Sequence, residues 1–261
     1  MRLEKKTAVI YGGGGAIGGA IARTFAREGA TVHLAGPTAA KLAAVADDIG
    51  PAAHTAVVDA LSEEAVAEHL ASVGVVDVCV NAVGIQNGAQ GKPLVEMSAD
   101  EFGAPIADYT RTNFVTAAAA ARLMASGGGG GVIIGLSSPM ARTATALTGS
   151  FTMASAAVEL FLRQLAAEQG PTGVRAVCLR LNGIPETATS LGSSTEKTWR
   201  DAADRLGISF EQLLEGVGQG SPLQRALTVQ EVAEVAAFVA SDAAGALTAT
   251  VLNVTGGAIV D

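Results

Sequence analysis

TAVIYGGGGAIGGAI, residues Thr7 to Ile21, joins a short apolar run to four consecutive glycines and then to a helical pattern that opens at Ala16. A strand that breaks into glycine and turns straight into a helix leaves bare amide N–H groups at the helix start, where the dipole favours negative charge. The stretch reads as a cradle for a phosphate. Taken alone it is a weak signal, because the run Gly12 to Gly15 satisfies almost any register of the Gly-x-Gly-x-x-Gly fingerprint. A flexible glycine turn between two core elements would look the same, so the chain behind it has to decide.

Residues 16–28 carry Ile17, Ile21 and Phe25 at helical spacing, and Gly29 ends the helix. TVHLA (31–35) reads as a second strand, 38–49 as a helix and HTAVVD (54–59) as a third strand. SEEAVAEHLASV (62–73) is a helix with Ser62 as its N-cap and acids in its first turn. VVDVCVNA (75–82) is a fourth strand, apolar enough to be buried on both faces. Residues 99–126 read as a long helix interrupted near Pro105, VIIGLSS (132–138) as a fifth strand, 150–169 as another long helix and VRAVCLRL (174–181) as a sixth strand. VQEVAEVAAFVASD (229–242) and TATVLNVTGG (248–257) supply a last helix and a seventh strand. Strands alternating with helices at this interval imply right-handed βαβ units on a parallel sheet. The expectation is one α/β domain over 1–261, a doubly wound Rossmann-type fold with seven strands. Residues 186–221 depart from the alternation, with short amphipathic pieces around Trp199, Phe210, Leu213 and Leu214. They read either as a flap over a site or as a packed pair of surface helices.

At 261 residues with 49% hydrophobic residues the chain can bury one large core. No segment approaches the roughly 18 apolar residues of a membrane span, and MRLEKKTAVIY lacks the apolar region and cleavage site of a secretory signal. A soluble, cytoplasmic protein is expected. Cys79 and Cys178 sit in apolar runs, far apart and without metal-ligand spacing, as buried reduced thiols would. A net charge of −8 without a basic cluster argues against nucleic acid or an anionic membrane as partner. His33, His54 and His69 fall in the first half, away from the expected pocket, so neither a metal site nor a His-based triad is supported.

Together these stretches resemble the short-chain dehydrogenase/reductase family over nearly the whole chain. Its Thr-Gly-x-x-x-Gly-x-Gly motif matches Tyr11, Gly12, Ala16 and Gly18, with the first and middle residues changed. Asp59 corresponds to the family's adenine-contacting aspartate, Asn81-Ala82-Val83-Gly84 to its Asn-Asn-Ala-Gly motif, and Asn113 to the asparagine of its active-site helix. Ser138 lies 13 residues before Phe151, the family's spacing between catalytic serine and tyrosine. The resemblance implies cofactor contacts at Gly12, Gly14, Gly15, Ala16, Ile17, Gly18, Gly36, Pro37, Thr38, Asp59, Ala60 and Asn81 to Gly84. In LNGIPET (181–187), Ile184 and Thr187 resemble its nicotinamide and pyrophosphate contacts.

The family's Tyr-x-x-x-Lys pair aligns with Phe151 and Ser155. Residues four apart share a helix face, so both would still point at one pocket. Phenylalanine has no proton to give and serine carries no positive charge. A positioned acid or base is worth about 10² to 10⁴ in rate, so reduction of an ordinary ketone should be slow by that order. Tyr109, one helical turn before Asn113, is a candidate for a relocated acid. Arg142 and Arg180, near the C-terminal sheet edge where such folds bind ligands, could pair a substrate carboxylate, or could be surface or loop-anchoring residues.

Dinucleotide folds place an acid at the end of the second strand for NAD, or an arginine nearby for NADP. Here the strand ends Ala35-Gly36-Pro37-Thr38, with neither; loss of the acid removes a repulsion, and Thr38 or Lys41 could reach the phosphate. The reading leans to NADP over NAD. It leaves open an NAD(P)-dependent reductase acting on a small-molecule substrate with an activated C=C or C=N bond, a catalytically silent relative that binds a dinucleotide or a partner, and a non-redox enzyme reusing the pocket. The family commonly assembles through its two long helices, which implies a homodimer or tetramer here.

Overall fold

The structure, a computed structural model, describes residues 1–84, 90–189 and 194–260. Seven strands, β1 (Thr7–Tyr11), β2 (Thr31–Gly36), β3 (Ala53–Val57), β4 (Val78–Asn81), β5 (Gly131–Ser137), β6 (Val174–Leu181) and β7 (Thr250–Val254), form one sheet. It is parallel throughout, in the order β3-β2-β1-β4-β5-β6-β7. The order reverses between β1 and β4, which opens a crevice at their carboxyl ends, the place where open α/β sheets bind ligands.

The α-helices before β6 are α1 (Ala16–Arg27), α2 (Ala39–Ile49), α3 (Glu63–Val73), α4 (Ala99–Ser126) and α5 (Phe151–Gln169). The segment after β6 holds α6 (Pro185–Thr189), α7 (Ser194–Leu206) and α8 (Phe210–Gly216), and α9 (Val229–Ala240) precedes β7. Residues of α1, α2 and α9, including Phe25, Leu42 and Val232, pack in one core with one face of the sheet. Residues of α3, α4 and α5, including Leu70, Val115 and Leu162, pack in a second core on the other face. Both faces are therefore covered, which is why the strands read as unbroken apolar runs. The single-domain seven-stranded Rossmann-type fold expected from the alternation is observed. Among the described residues, no helix is long and apolar enough to cross a membrane.

Local chemistry explains the boundaries. Ser62 caps α3 as expected, its Oγ accepting the Ala65 amide at 3.2 Å. The apolar run 75–82 yields a shorter β4 because its start lies outside the ladder: Asp77 turns its carboxylate to the Thr7 amide at 2.7 Å, and Val75 is exposed. α4 is continuous across Pro105, so the expected interruption does not occur. Proline removes one N–H that would have met the Glu101 carbonyl. A Ser98–Glu101 capping box holds the preceding turn, and burial of Pro105 itself and of Tyr109, Thr112 and Asn113 after it holds the rest. The described part of 186–221 forms α6, α7 and α8 and the turns that follow α7 and α8, with the Arg200 guanidinium 4.0 Å from the Phe210 ring centroid; residues 190–193 lie outside the described residues. Both cysteines are buried and unpaired, and desolvation pushes each thiol up to about 12.

Candidate active site

The glycine turn is locked against the neighbouring strand. Gly12 has φ +79°, and a Cβ there would stand 2.5 Å from the Ala82 carbonyl oxygen. A Cβ on Gly18 would stand 2.3 Å from the Gly12 carbonyl oxygen, so the start of α1 can approach the turn only without side chains. Gly15 is the N-cap of α1, offers no capping side chain, and no acid occupies the first turn. The first-turn amides have no intrahelical acceptor, so the mouth of α1 fits an anionic pyrophosphate. Tyr11, where the family motif has threonine, turns into the core instead; its hydroxyl bonds with His69 Nδ1 at 3.3 Å, and burial raises its pKa.

The remaining expected cofactor positions follow along the same sheet edge. Gly36 ends β2, and Thr38 is the exposed N-cap of α2 with no side-chain cap bond. Asp59 follows β3 in a turn, accepting the Leu61 amide at 2.9 Å, and Ala60 is buried beside it. Asn81 ends β4, donating from Nδ2 to Thr116 Oγ1 at 2.9 Å and accepting the Val83 amide at 3.0 Å. That pair of bonds shapes the turn of Ala82, Val83 and Gly84.

A cavity of about 330 Å³ opens beside this turn. Ile17, Ala82, Val83, Gly84, Ile184 and Thr187 from the cofactor set line it together with Tyr109, Ser138, Phe151 and Ser155 from the catalytic set. Ser138 follows β5, Ser155 stands one turn into α5, and their Oγ atoms lie 3.0 Å apart, both buried. Phe151 lies four residues before Ser155, so the two share the face of α5 that the cavity meets. Tyr109 lines the cavity, but its hydroxyl donates to the Leu136 carbonyl at 2.7 Å, and burial raises its pKa. Asn113 is not in the lining; it is buried behind Tyr109, donating to that residue's carbonyl at 3.0 Å. Met140 and Trp199, which the motif reading did not single out for the pocket, complete its apolar wall.

Arg180 is neither on the surface nor in the cavity lining. It is fully buried, with Nε donating to Glu159 Oε1 at 2.8 Å, an Nη to Glu159 Oε2 at 2.7 Å, and another to Asn253 Oδ1 at 2.7 Å. Ser137 Oγ completes the set, donating to Glu159 Oε1 at 2.8 Å. A substrate carboxylate therefore cannot use Arg180, and Arg142 is exposed outside the lining. The sequence reading missed Glu159. The signal was a lone acid in the apolar stretch AAVELFL, set one helical turn beyond Ser155, with a lone arginine in VCLRL to match it. None of the three histidines is among the residues lining the cavity.

Residues 14–258 match the family described as enoyl-(acyl carrier protein) reductase. An uncharacterized oxidoreductase of Mycobacterium tuberculosis (strain CDC 1551 / Oshkosh) is 33% identical, over 98% of this chain and 93% of that protein. A sorbitol dehydrogenase of Cereibacter sphaeroides is 32% identical, over 98% of each chain. Among solved structures, one described as a short chain dehydrogenase/reductase family protein superposes with a TM-score of 0.81 at 29% identity, covering 98% of both chains.

Proposed function

The chain belongs to the short-chain dehydrogenase/reductase family, and from that premise we propose that it is an NAD(P)-dependent oxidoreductase with Phe151 and Ser155 standing at the family's tyrosine and lysine positions. The observation that carries this reading is the Ser138 and Ser155 hydroxyl pair, 3.0 Å apart, in a cavity that Phe151 and the nucleotide-side turn share.

Gly12, Gly14, Gly15, Ala16, Ile17 and Gly18 would hold the pyrophosphate, Gly36, Pro37, Thr38, Asp59 and Ala60 the adenosine end, and Asn81 to Gly84 with Ile184 and Thr187 the nicotinamide end. A reduced nicotinamide bound there supplies a hydride. The side chains around it lack an obvious proton source: Phe151 has none, and the Tyr109 proton is engaged by the Leu136 carbonyl. A simple ketone, which takes up a proton on oxygen as it is reduced, is a poor match for that set. A C=C or C=N bond conjugated to an acceptor oxygen suits it better. The free hydroxyl hydrogen of the Ser138 and Ser155 pair donates to the oxygen where negative charge gathers, and water delivers the proton to carbon or nitrogen. Gly36 to Thr38 bring no acid against a 2′-phosphate, and the uncommitted cap position of Thr38 favours NADP over NAD.

A second reading, a silent relative that binds a dinucleotide or a partner without turnover, draws support from the same engaged Tyr109. Following NADPH and NADH consumption across matched ketones, enals and imines separates the two. The oxidoreductase reading expects turnover of a conjugated enal or imine well above that of a ketone. Bound nucleotide with no consumption on any member would favour the silent relative.

A further inference from the structure

We infer that this cavity takes an uncharged, largely apolar substrate with one hydrogen-bond-accepting oxygen, and that it turns away the corresponding carboxylate. The inference rests on the reading above that the cavity is the substrate end of the site, and it adds the class of substrate.

The first observation is charge. No Asp, Glu, Lys, Arg or His is among the described residues that line the cavity, although 16% of the chain is Asp, Glu, Lys or Arg. The two internal stretches outside the described residues, IQNGA (85–89) and SLGS (190–193), contain no charged residue either. The buried charges behind the wall, Glu159 and Arg180, are spent on each other: both Glu159 oxygens are held by Arg180, and one also by Ser137. A carboxylate entering here would lose water without meeting a cation, a desolvation that strongly disfavours an ion.

The second observation is the hydrogen-bond count. Several polar side chains of the lining give their protons to the protein: Tyr109 to the Leu136 carbonyl, Ser137 to Glu159, Thr148 to the Thr145 carbonyl and Thr187 to the Ile184 carbonyl. The Ser138 and Ser155 hydroxyls differ. Each hydroxyl carries one hydrogen; one lies between the two oxygens, and among the described residues the other has no protein acceptor. That hydrogen is the donor offered to a ligand, at the inner end of a chamber walled by Met140, Phe151 and Trp199.

Trp199 is the chain's single tryptophan, so its emission reads occupancy directly and without turnover. The probes are oct-3-en-2-one and trans-2-octenoate, titrated at neutral pH with the protein alone and with NADP⁺ added. The enone is expected to bind at least tenfold more tightly than the acid in at least one of the two conditions. Ser138→Ala/Ser155→Ala is expected to weaken the enone by roughly threefold to tenfold and leave the acid unchanged. Met140→Lys, at the partly exposed rim, is expected to narrow or reverse the preference. Equal or tighter binding of octenoate, no binding of either probe, or an enone affinity indifferent to loss of both hydroxyls would overturn the inference. Nucleotide affinity measured on the same samples by calorimetry keeps the two questions apart. Enone preference without nucleotide binding would sink the oxidoreductase reading alone, and nucleotide binding with octenoate preferred would sink this inference alone.

Discussion

Phe151→Tyr combined with Ser155→Lys is expected to raise NADPH-dependent reduction of a simple ketone by about 10² to 10⁴-fold over the parent chain. Both positions line one cavity from one face of α5, so the new phenol and ammonium would enter the same space. Ser155 is buried against Ser138, which places the lysine stem along the inner wall and its charge toward the phenol. That charge lowers the phenol pKa, since a nearby cation favours the ionised form. The single variants are expected to gain little. Tyrosine alone would titrate high in an apolar cavity, and lysine alone offers no group poised beside the carbonyl oxygen. Initial rates of NADPH oxidation with a cyclic ketone check this. A double variant that folds and binds nucleotide but reduces ketone no faster than the parent would contradict the assignment of these positions.

The second large effect concerns stability. Glu159→Leu leaves the Arg180 guanidinium buried with its carboxylate partner gone, a change expected to cost about 3–5 kcal/mol. For a chain of this size each kcal/mol moves Tm by about 2–4 °C, so a fall of roughly 6–20 °C is predicted in thermal unfolding. The pair is 3% and 0% exposed, so solvent screening does not soften that loss. Pairing Glu159→Leu with Arg180→Met should restore most of the stability, because replacing both members of a buried pair by apolar residues is often neutral or better. A Tm unchanged in Glu159→Leu, or a double variant worse than the single, would show that the pair does not carry the packing of α5 on β6.

How much of this was legible in the sequence depended on the range of the interactions. The glycine turn announced itself because its constraint is local: Gly12 and Gly18 are forced by contacts within a few residues and with the end of β4. The strands were legible because a sheet covered on both faces needs uninterrupted apolar runs, and β6 falls on the run predicted for it. Spacing alone put Phe151 and Ser155 together, since helical periodicity fixes which residues share a face. The Glu159 and Arg180 pair was missed because it is set by the register of α5 against β6, a tertiary fact that no local window contains. Trp199 reaches the cavity through the departure from βαβ alternation, where pattern reasoning has least purchase. Pro105 misled in the opposite direction: a local rule about proline yielded to a long helix whose buried face begins at Pro105 itself.

The central claim is that the β1 to α1 turn grips a dinucleotide beside a reaction centre without the family's proton donor. Calorimetric titration of the wild type and of Gly18→Ala with NADPH and NADH tests it most directly. The account predicts saturable binding to the wild type, tighter for NADPH, and a loss of about tenfold or more in Gly18→Ala, whose Cβ would stand 2.3 Å from the Gly12 carbonyl oxygen. Binding of neither nucleotide at millimolar concentration, or equal affinity in the two chains, would contradict it.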